Sequence, residues 1–101
     1  MTILEEAAQL TSGPRQRDYD SPLPNHRRIA TMWNAYLSIR RRPDGAISPE
    51  DVATMMLLLK IAREVYTPKR DNLVDVAGYA RCLEQMREER DAVLSNEEPC
   101  T

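Results

Sequence analysis

The sequence predicts an all-α fold, a compact bundle of about four helices, on three observations. Apolar residues recur at helical spacing in four segments, and these segments begin and end at capping and proline signals. Aromatic residues are scarce, with four Tyr, one Trp and no Phe. The core therefore has to consist of Leu, Ile, Val, Met and Ala, a composition that suits helices better than strands.

The first two predicted helices are separated by a loop that contains prolines. The first covers about 3–11 and opens with a T-x-x-E capping box at Thr2. The loop covers 15–24, where two prolines and an Asp-Ser turn signal oppose regular structure. The second helix covers about 25–40, with Asn25 as its predicted N-cap.

The third predicted helix has the clearest boundaries. It covers 49–66, with Ser48 as its cap and Pro49 in its first position, and it stops ahead of a proline. The fourth covers about 71–93, with Asp71 as its cap. The connection between these two helices is short, which predicts antiparallel neighbours at the centre of the bundle.

The length of 101 residues predicts one domain, covering 1–94, with a disordered tail at 95–101. The third helix is apolar around most of its circumference, more than a few thin helices can cover. We therefore expect a homo-oligomer, in the simplest case a dimer, to complete the bundle.

Charge and composition exclude several classes of protein. The net charge is −2, which argues against non-specific binding of nucleic acid. The longest apolar stretch, 55–59, is far too short to span a membrane. Cys82 and Cys100 have no metal-binding spacing and predict reduced thiols in a cytoplasmic protein. There is no glycine-rich phosphate loop and no serine-hydrolase or zinc motif.

Two basic residues of the third helix are unexpected where they stand. At 100° per residue, Arg63 shares a face with Val52, Met56 and Leu59, which is predicted to be a core stripe. Lys60 lies at the rim of that face. Charges on a core stripe need partners, because an unpaired buried charge costs several kcal/mol. The alternative is that both side chains extend to water along their aliphatic stems.

The expected partners are two aspartates one turn apart on the fourth helix. Asp71 and Asp75 share a stripe that Gly78 and Tyr79 continue. Glycine inside a helix costs about 1 kcal/mol relative to alanine, so Gly78 indicates close approach by another helix or a flat ligand. We predict that Arg63 contacts Asp75, with Asp71 and Lys60 nearby. An ordinary salt bridge and a tight helix crossing would leave the same pattern.

The loop before the second helix carries a further charged group, Arg17, Asp18 and Tyr19. Loops that a rigid scaffold holds in place often carry function, although these residues are also compatible with an ordinary turn.

Two segments of the chain resemble a family of small bacteriophage proteins of unknown function, described as MazG-like. They are RDYDSPLPNHRRIATMWNAYL and ISPEDVATMMLLLKIAREVYTPKRDNLVDVAGYARCL. The second contains a K-x-x-R…D-x-x-x-D-x-x-G-Y-A signature that is similar to the phage nucleotide-modification-associated domain. The resemblance covers about residues 3–88.

This resemblance implies a MazG-like bundle with the activity of a nucleoside triphosphate pyrophosphohydrolase. Such enzymes hold Mg²⁺ through E-x-x-E and E-x-x-D motifs, because Mg²⁺ prefers oxygen ligands. By the resemblance, Asp75 and Asp71 would be the catalytic and metal-binding residues. The expected nucleotide contacts are Lys60, Arg63, Arg17, Asp18, Tyr19 and Tyr79.

The chain departs from these motifs at three places. Asn72 stands where the second motif has Glu, and Lys60 and Arg63 stand where the first has paired glutamates. The loop has Asp20 where the family has glycine after Asp-Tyr. Two functions therefore remain open: a Mg²⁺-dependent enzyme of nucleotide metabolism in the host cytoplasm, or a non-catalytic protein that sequesters a nucleotide or forms an oligomer.

Overall fold

The structure is a computed structural model that describes residues 1–12 and 21–97, and every regular element within them is an α-helix. The helices are α1 (Ile3–Thr11), α2 (Pro22–Arg40), α3 (Pro49–Tyr66) and α4 (Arg70–Glu97). The predicted all-α class and the number of helices are confirmed. No helix of the described ranges combines the length and the apolar character needed to cross a membrane.

Two of the predicted helix starts are confirmed by their caps. The hydroxyl of Thr2 accepts a hydrogen bond from the backbone N–H of Glu5 at 3.1 Å. At α3, Asp51 N–H donates to the Ser48 hydroxyl at 3.2 Å, and Ser48 N–H donates to the Asp51 carboxylate at 2.8 Å. This reciprocal capping box satisfies two N–H groups that a helix start otherwise leaves without partners.

The predicted start of α2 at Asn25 is wrong, because the helix begins at Pro22 and its N-cap is Ser21. Proline is tolerated in the first turn, where its missing N–H has no intrahelical partner to lose. Pro22 and Pro24 therefore start the helix instead of preceding it. Asn25 then lies one turn inside, where its side chain is buried rather than capping.

The fourth helix is longer than predicted at both ends. Asp71 lies inside its first turn and is not its cap. The helix continues to Glu97, past the predicted end near Val93. The predicted domain at 1–94 and its disordered tail remain predictions, since the helix includes 95–97 and residues 98–101 lie outside the described part of the chain.

A turn at Pro43-Asp44-Gly45 connects α2 to α3. Arg41 ends α2 in the left-handed region, at φ 48°, and its N–H donates to the Leu37 carbonyl at 3.2 Å. Gly45 has φ 68°, a conformation that glycine adopts without steric cost. The chain thereby reverses, and α3 runs back along α2.

The three longer helices form a layer with α3 in the middle. Glu50, Lys60 and Glu64 of α3 contact α4, whereas Asp51, Tyr66 and the backbone of Met55 contact α2. At 100° per residue the two sets lie about 170° apart around α3. The helices α2 and α4 therefore cover opposite sides of α3, and each packs against it extensively.

The layer has a thin core, so the prediction of a compact bundle is wrong in this respect. The radius of gyration is 18.1 Å, compared with about 13 Å for a compact domain of this length. Within the described ranges, the buried apolar residues are Ile29, Ala53, Met55 and Ala62. Val52 was predicted to open a core stripe but is 53% exposed, because its side of α3 faces neither α2 nor α4.

A buried carboxylate fastens α2 to α3. Asp51 is 3% exposed, and it accepts hydrogen bonds from the Tyr36 hydroxyl at 2.6 Å and from Arg40 Nη1 at 2.5 Å. Arg40 Nη1 also donates to the carbonyl of Ala46 in the connecting turn at 2.6 Å. One carboxylate therefore joins the start of α3, the end of α2 and the turn between them.

The same contacts shift the pKa values of Asp51 and Tyr36 in opposite directions. Hydrogen bonds from the Ser48 backbone and the Tyr36 hydroxyl hold the pKa of Asp51 well below its usual range. Burial, together with the hydrogen bond to Asp51, raises the pKa of the Tyr36 hydroxyl. Both shifts keep an ionised carboxylate facing a protonated phenol at neutral pH.

We predict that Asp51→Asn lowers the melting temperature at pH 7 by roughly 10 °C or more. The amide has one acceptor oxygen and places N–H groups against the donors of Arg40 or Ser48. Because the folded pKa of Asp51 is depressed, its stabilisation is complete above about pH 4 and is lost as the pH falls below that value. The difference from wild type should therefore shrink between pH 4 and pH 2 in thermal melts followed by circular dichroism.

The matched control is Asp91→Asn, which changes an exposed aspartate of α4. This control should melt within about 2 °C of wild type. Equal melting temperatures for Asp51→Asn and wild type at pH 7 would show that the Asp51 contacts do not hold the layer together.

Candidate functional site

The structure brings together two of the residues that the sequence singled out. Lys60 Nζ lies 2.9 Å from Asp75 Oδ2, between the middle of α3 and the first turns of α4. The Lys60 side chain is only 18% exposed, whereas that of Asp75 is 44% exposed. The lysine is thus the more deeply placed partner of the pair.

The structure describes three of the other predicted site residues, Asp71, Tyr79 and Arg63. Asp71 and Tyr79 lie one turn before and one turn after Asp75 on α4, with Asp71 exposed and Tyr79 half-buried. Arg63 lies one turn after Lys60 on α3 and is half-buried. Its predicted contact with Asp75 remains a prediction. Arg17, Asp18 and Tyr19 lie outside the described residues.

The predicted use of Gly78 is not found within the described chain. Gly78 is exposed, and a Cβ atom added there would meet no heavy atom within 4 Å. Neither α2 nor α3 therefore approaches α4 closely at this point. The glycine leaves open space beside Tyr79 and Asp75 on the outer side of the helix.

A second polar cluster, which the sequence did not reveal, joins the end of α3 to the start of α4. The amide of Asn72, which is buried, donates to Glu64 Oε1 at 3.1 Å and to the Thr67 carbonyl at 3.2 Å. The backbone N–H of Lys69 donates to the same Glu64 oxygen at 2.8 Å. Asn72 therefore has a structural task in this chain: it ties the connection between the helices to α3.

This cluster bears on the expected metal site. Asn72 occupies the position where the related motif has Glu, and its amide N–H groups are engaged as donors, which a carboxylate lacks. Within the described residues, no three His, Cys, Asp or Glu side chains are grouped so that they could hold a metal ion. Asp75 has an oxygen committed to Lys60. The role of Asp71 and Asp75 as Mg²⁺ ligands remains a prediction.

A third feature lies where α2 begins and α3 ends. The guanidinium carbon of Arg28 lies 4.6 Å from the centre of the Tyr66 ring, within the range of a cation–π contact. One turn earlier on α2, the Oδ1 atom of Asn25 is buried and accepts no hydrogen bond from the residues that the structure describes. The sequence offered only a weak signal for this group, because Arg28 and Tyr66 are 38 positions apart.

The surrounding charge is positive. Residues 25–28 and 60–75, which make up this end of the layer, contain six Lys or Arg residues and three Asp or Glu residues. Of the three acids, Glu64 is bound to Asn72 and Asp75 to Lys60. A chain with a net charge of −2 thus has one end with a clear basic excess.

Comparison with known families identifies the chain. The model of the Domain of unknown function (DUF6378) matches residues 2–87. The chain belongs to this family. The match extends from the cap of α1 almost to the end of the contact between α3 and α4, so it includes both polar clusters and the basic end.

Two bacteriophage proteins are similar to this DUF6378 chain. The Gene 55 protein of Mycobacterium phage L5 is 46% identical over 88 residues, which are 86% of this chain and 53% of that protein. The Gene 55 protein of Mycobacterium phage D29 is 43% identical over 89 residues, 87% of this chain and 55% of that protein. The chain spans about half the length of these curated relatives. No solved structure matches it.

These matches confirm the predicted relationship to bacteriophage proteins of unknown function. They give no support to the MazG-like part of the resemblance. What the DUF6378 chain does must therefore be argued from its own residues.

We predict that Asn72→Glu, which restores the acid of the related motif, destabilises the protein by about 2 kcal/mol or more. The introduced carboxylate would face Glu64 and would leave the Thr67 carbonyl without its donor. Chemical denaturation with and without Mg²⁺ measures the effect, and Asn34→Glu, at an exposed position of α2, is the matched control. Recovery of wild-type stability on addition of Mg²⁺ would show instead that the new carboxylate completes a metal site.

Proposed function

We propose that this DUF6378 chain binds a phosphorylated small molecule, a nucleotide in the first instance, and does so without hydrolysing it. The observation that carries the proposal is the half-buried Lys60, held against Asp75 at the basic end of the layer. The Lys60 side chain is only 18% exposed, so burial of a charge of this kind costs free energy unless an anion compensates for it. A phosphate that replaces or joins the aspartate would compensate for that cost.

The neighbouring residues suit a nucleotide in two further ways. Lys60, Arg63 and Tyr66 follow one another at i, i+3 and i+6, so at 100° per residue they turn gradually around α3 from its α4 side toward its α2 side. Tyr66 offers an aromatic face, on which Arg28 already lies at 4.6 Å. Cationic groups beside an aromatic ring are a usual combination for binding phosphate and base together.

The side chains available at this end of the layer favour phosphate binding over Mg²⁺-dependent hydrolysis. Such hydrolysis calls for several carboxylates that share a metal ion, since Mg²⁺ takes oxygen ligands in octahedral geometry. In the described residues, Asp75 is paired with a lysine and Glu64 with Asn72. Lysine and arginine bind phosphate without a metal, so the function we propose needs no further ligands.

We predict that nucleoside triphosphates raise the melting temperature in EDTA as well as in Mg²⁺. A ligand at 100 times its dissociation constant stabilises the native state by about 2.7 kcal/mol, which is a shift of several degrees for a domain of this size. Lys60→Ala should weaken binding at least tenfold by isothermal titration, because it removes the half-buried charge. Monophosphates and inorganic pyrophosphate in the same panel separate recognition of the base from recognition of the phosphates.

Arg87→Ala is the matched control, since Arg87 is an exposed cation of α4 away from the basic end. Its affinity should equal that of wild type. Asp75→Asn separates binding from catalysis: it should retain or improve binding, because it removes the anion that competes for Lys60. The proposal fails if no phosphorylated ligand shifts the melting temperature. Mg²⁺-dependent turnover that Asp75→Asn abolishes would show that the protein is an enzyme.

A further inference from the structure

Lys60 has two acids nearby, one on its own helix and one on the next. Glu64 follows it by four residues on α3, a spacing at which a lysine and a glutamate lie on the same side of a helix and can pair. The structure instead joins Lys60 Nζ to Asp75 Oδ2 on α4, at 2.9 Å. The choice between the two acids therefore depends on what else binds Glu64.

Two N–H donors bind Glu64. Its Oε1 atom accepts hydrogen bonds from the Asn72 side-chain amide at 3.1 Å and from the Lys69 backbone N–H at 2.8 Å. Asn72 is only 6% exposed, so its amide depends on this acceptor and on the Thr67 carbonyl rather than on water. Hydrogen bonds to a carboxylate are stronger than those between neutral groups. Glu64 is therefore bound to the start of α4 by groups that carry no positive charge.

The two contacts are neighbours in the packing of α3 against α4. Glu64 lies about 6 Å along α3 from Lys60, and Asn72 lies one turn before Asp75 on α4. The helices run in opposite directions, so one contact follows the other after about one turn. The flexible stem of a lysine side chain reaches across such a distance. If Asn72 released Glu64, Lys60 would therefore meet a second carboxylate.

The two acids differ in how easily a ligand could take their place beside Lys60. The Asp75 side chain is 44% exposed, so water can hydrate its carboxylate when another anion displaces it. Glu64 is half-buried, and a carboxylate displaced there would find less water. Pairing with Asp75 therefore leaves Lys60 open to exchange with a phosphate, whereas pairing with Glu64 would oppose that exchange.

We propose that Asn72 is a positioning residue: by binding Glu64, it leaves the Lys60 ammonium group to a partner that a phosphate can replace. The choice of acid follows from the contacts between α3 and α4, whereas the role of Lys60 in phosphate binding rests on the function proposed for the basic end. A glutamate at position 72 could not act in this way, because a carboxylate has no N–H to donate. Asn72 acts on the ligand only through Lys60.

The test is a double-mutant cycle in which the affinity for ATP in EDTA is measured by isothermal titration. Asn72→Ala releases Glu64 to compete for Lys60, so it should weaken binding about threefold, as expected of an ion pair that is partly exposed. In a Glu64→Gln background the same substitution should leave the affinity unchanged, because the amide carries no charge. Glu89→Ala, at an exposed position of α4, is the matched control and should bind as wild type does. Equal losses in both backgrounds would show that Asn72 is merely structural and would overturn the proposal.

A second measurement needs no ligand. The lysines of the chain are Lys60 and Lys69, so the Nζ signal of Lys60 can be followed by NMR in protein that contains isotope-labelled lysine. In the otherwise wild-type chain, Asp75→Asn should shift this signal more than Glu64→Gln does, since the latter keeps the acceptor for Asn72. In an Asn72→Ala background the order should reverse.

The NMR comparison separates this proposal from the proposed function. A larger shift by Glu64→Gln than by Asp75→Asn in the wild-type chain overturns the positioning role, even where Asn72→Ala does not fold. If ATP does not bind to wild type but the Lys60 signal shifts as expected, the proposed function fails and the control of Lys60 by Asn72 stands.

Discussion

The Asp51 carboxylate is the contact on which the layer depends. It accepts hydrogen bonds from the Ser48 N–H at the start of α3, from the Tyr36 hydroxyl and from Arg40 at the end of α2. The apolar contribution to the same junction is small, because Ile29, Ala53, Met55 and Ala62 are the buried apolar residues of the described chain. With so little apolar area buried, directional hydrogen bonds have to fix the position of α2. The Trp33 indole, which donates to the Met55 carbonyl at 2.6 Å, adds a second such bond.

Local signals in the sequence predicted most helix boundaries. Contacts between residues far apart in the sequence, such as those of Asp51, could not be predicted in this way. Ser48 and Pro49 determine the start of α3 within four residues, so a reader of the sequence can find it. Asp51, by contrast, reads as an ordinary acid of a first turn, and its partners Tyr36 and Arg40 lie 15 and 11 positions away. Asn25 looked like a cap because Pro22 and Pro24 were assigned to the preceding loop, whereas they begin the helix.

The sequence predicted which residues belong to the candidate site better than it predicted which of them contact each other. The spacing of Lys60 and Asp75 marked both as candidate site residues, and in the structure they form an ion pair. The reason given for the pairing was only partly correct, since Val52 at the start of the stripe is 53% exposed and Met56 and Leu59 are half-buried rather than core residues. Asn72 was interpreted only as a missing glutamate. Its bonds to Glu64 and Thr67 connect positions whose relation depends on the turn between two helices.

Because α3 lies in the middle of the layer, the proposed site depends on how that helix is held. Asp51 near one end and Glu64 near the other fix α3 against α2 and α4. Between them, the bond from Trp33 to the Met55 carbonyl and the buried side chains of Met55 and Ala62 hold the helix in place. Lys60 therefore belongs to a helix whose position is fixed before a ligand arrives, which lowers the entropy lost on binding.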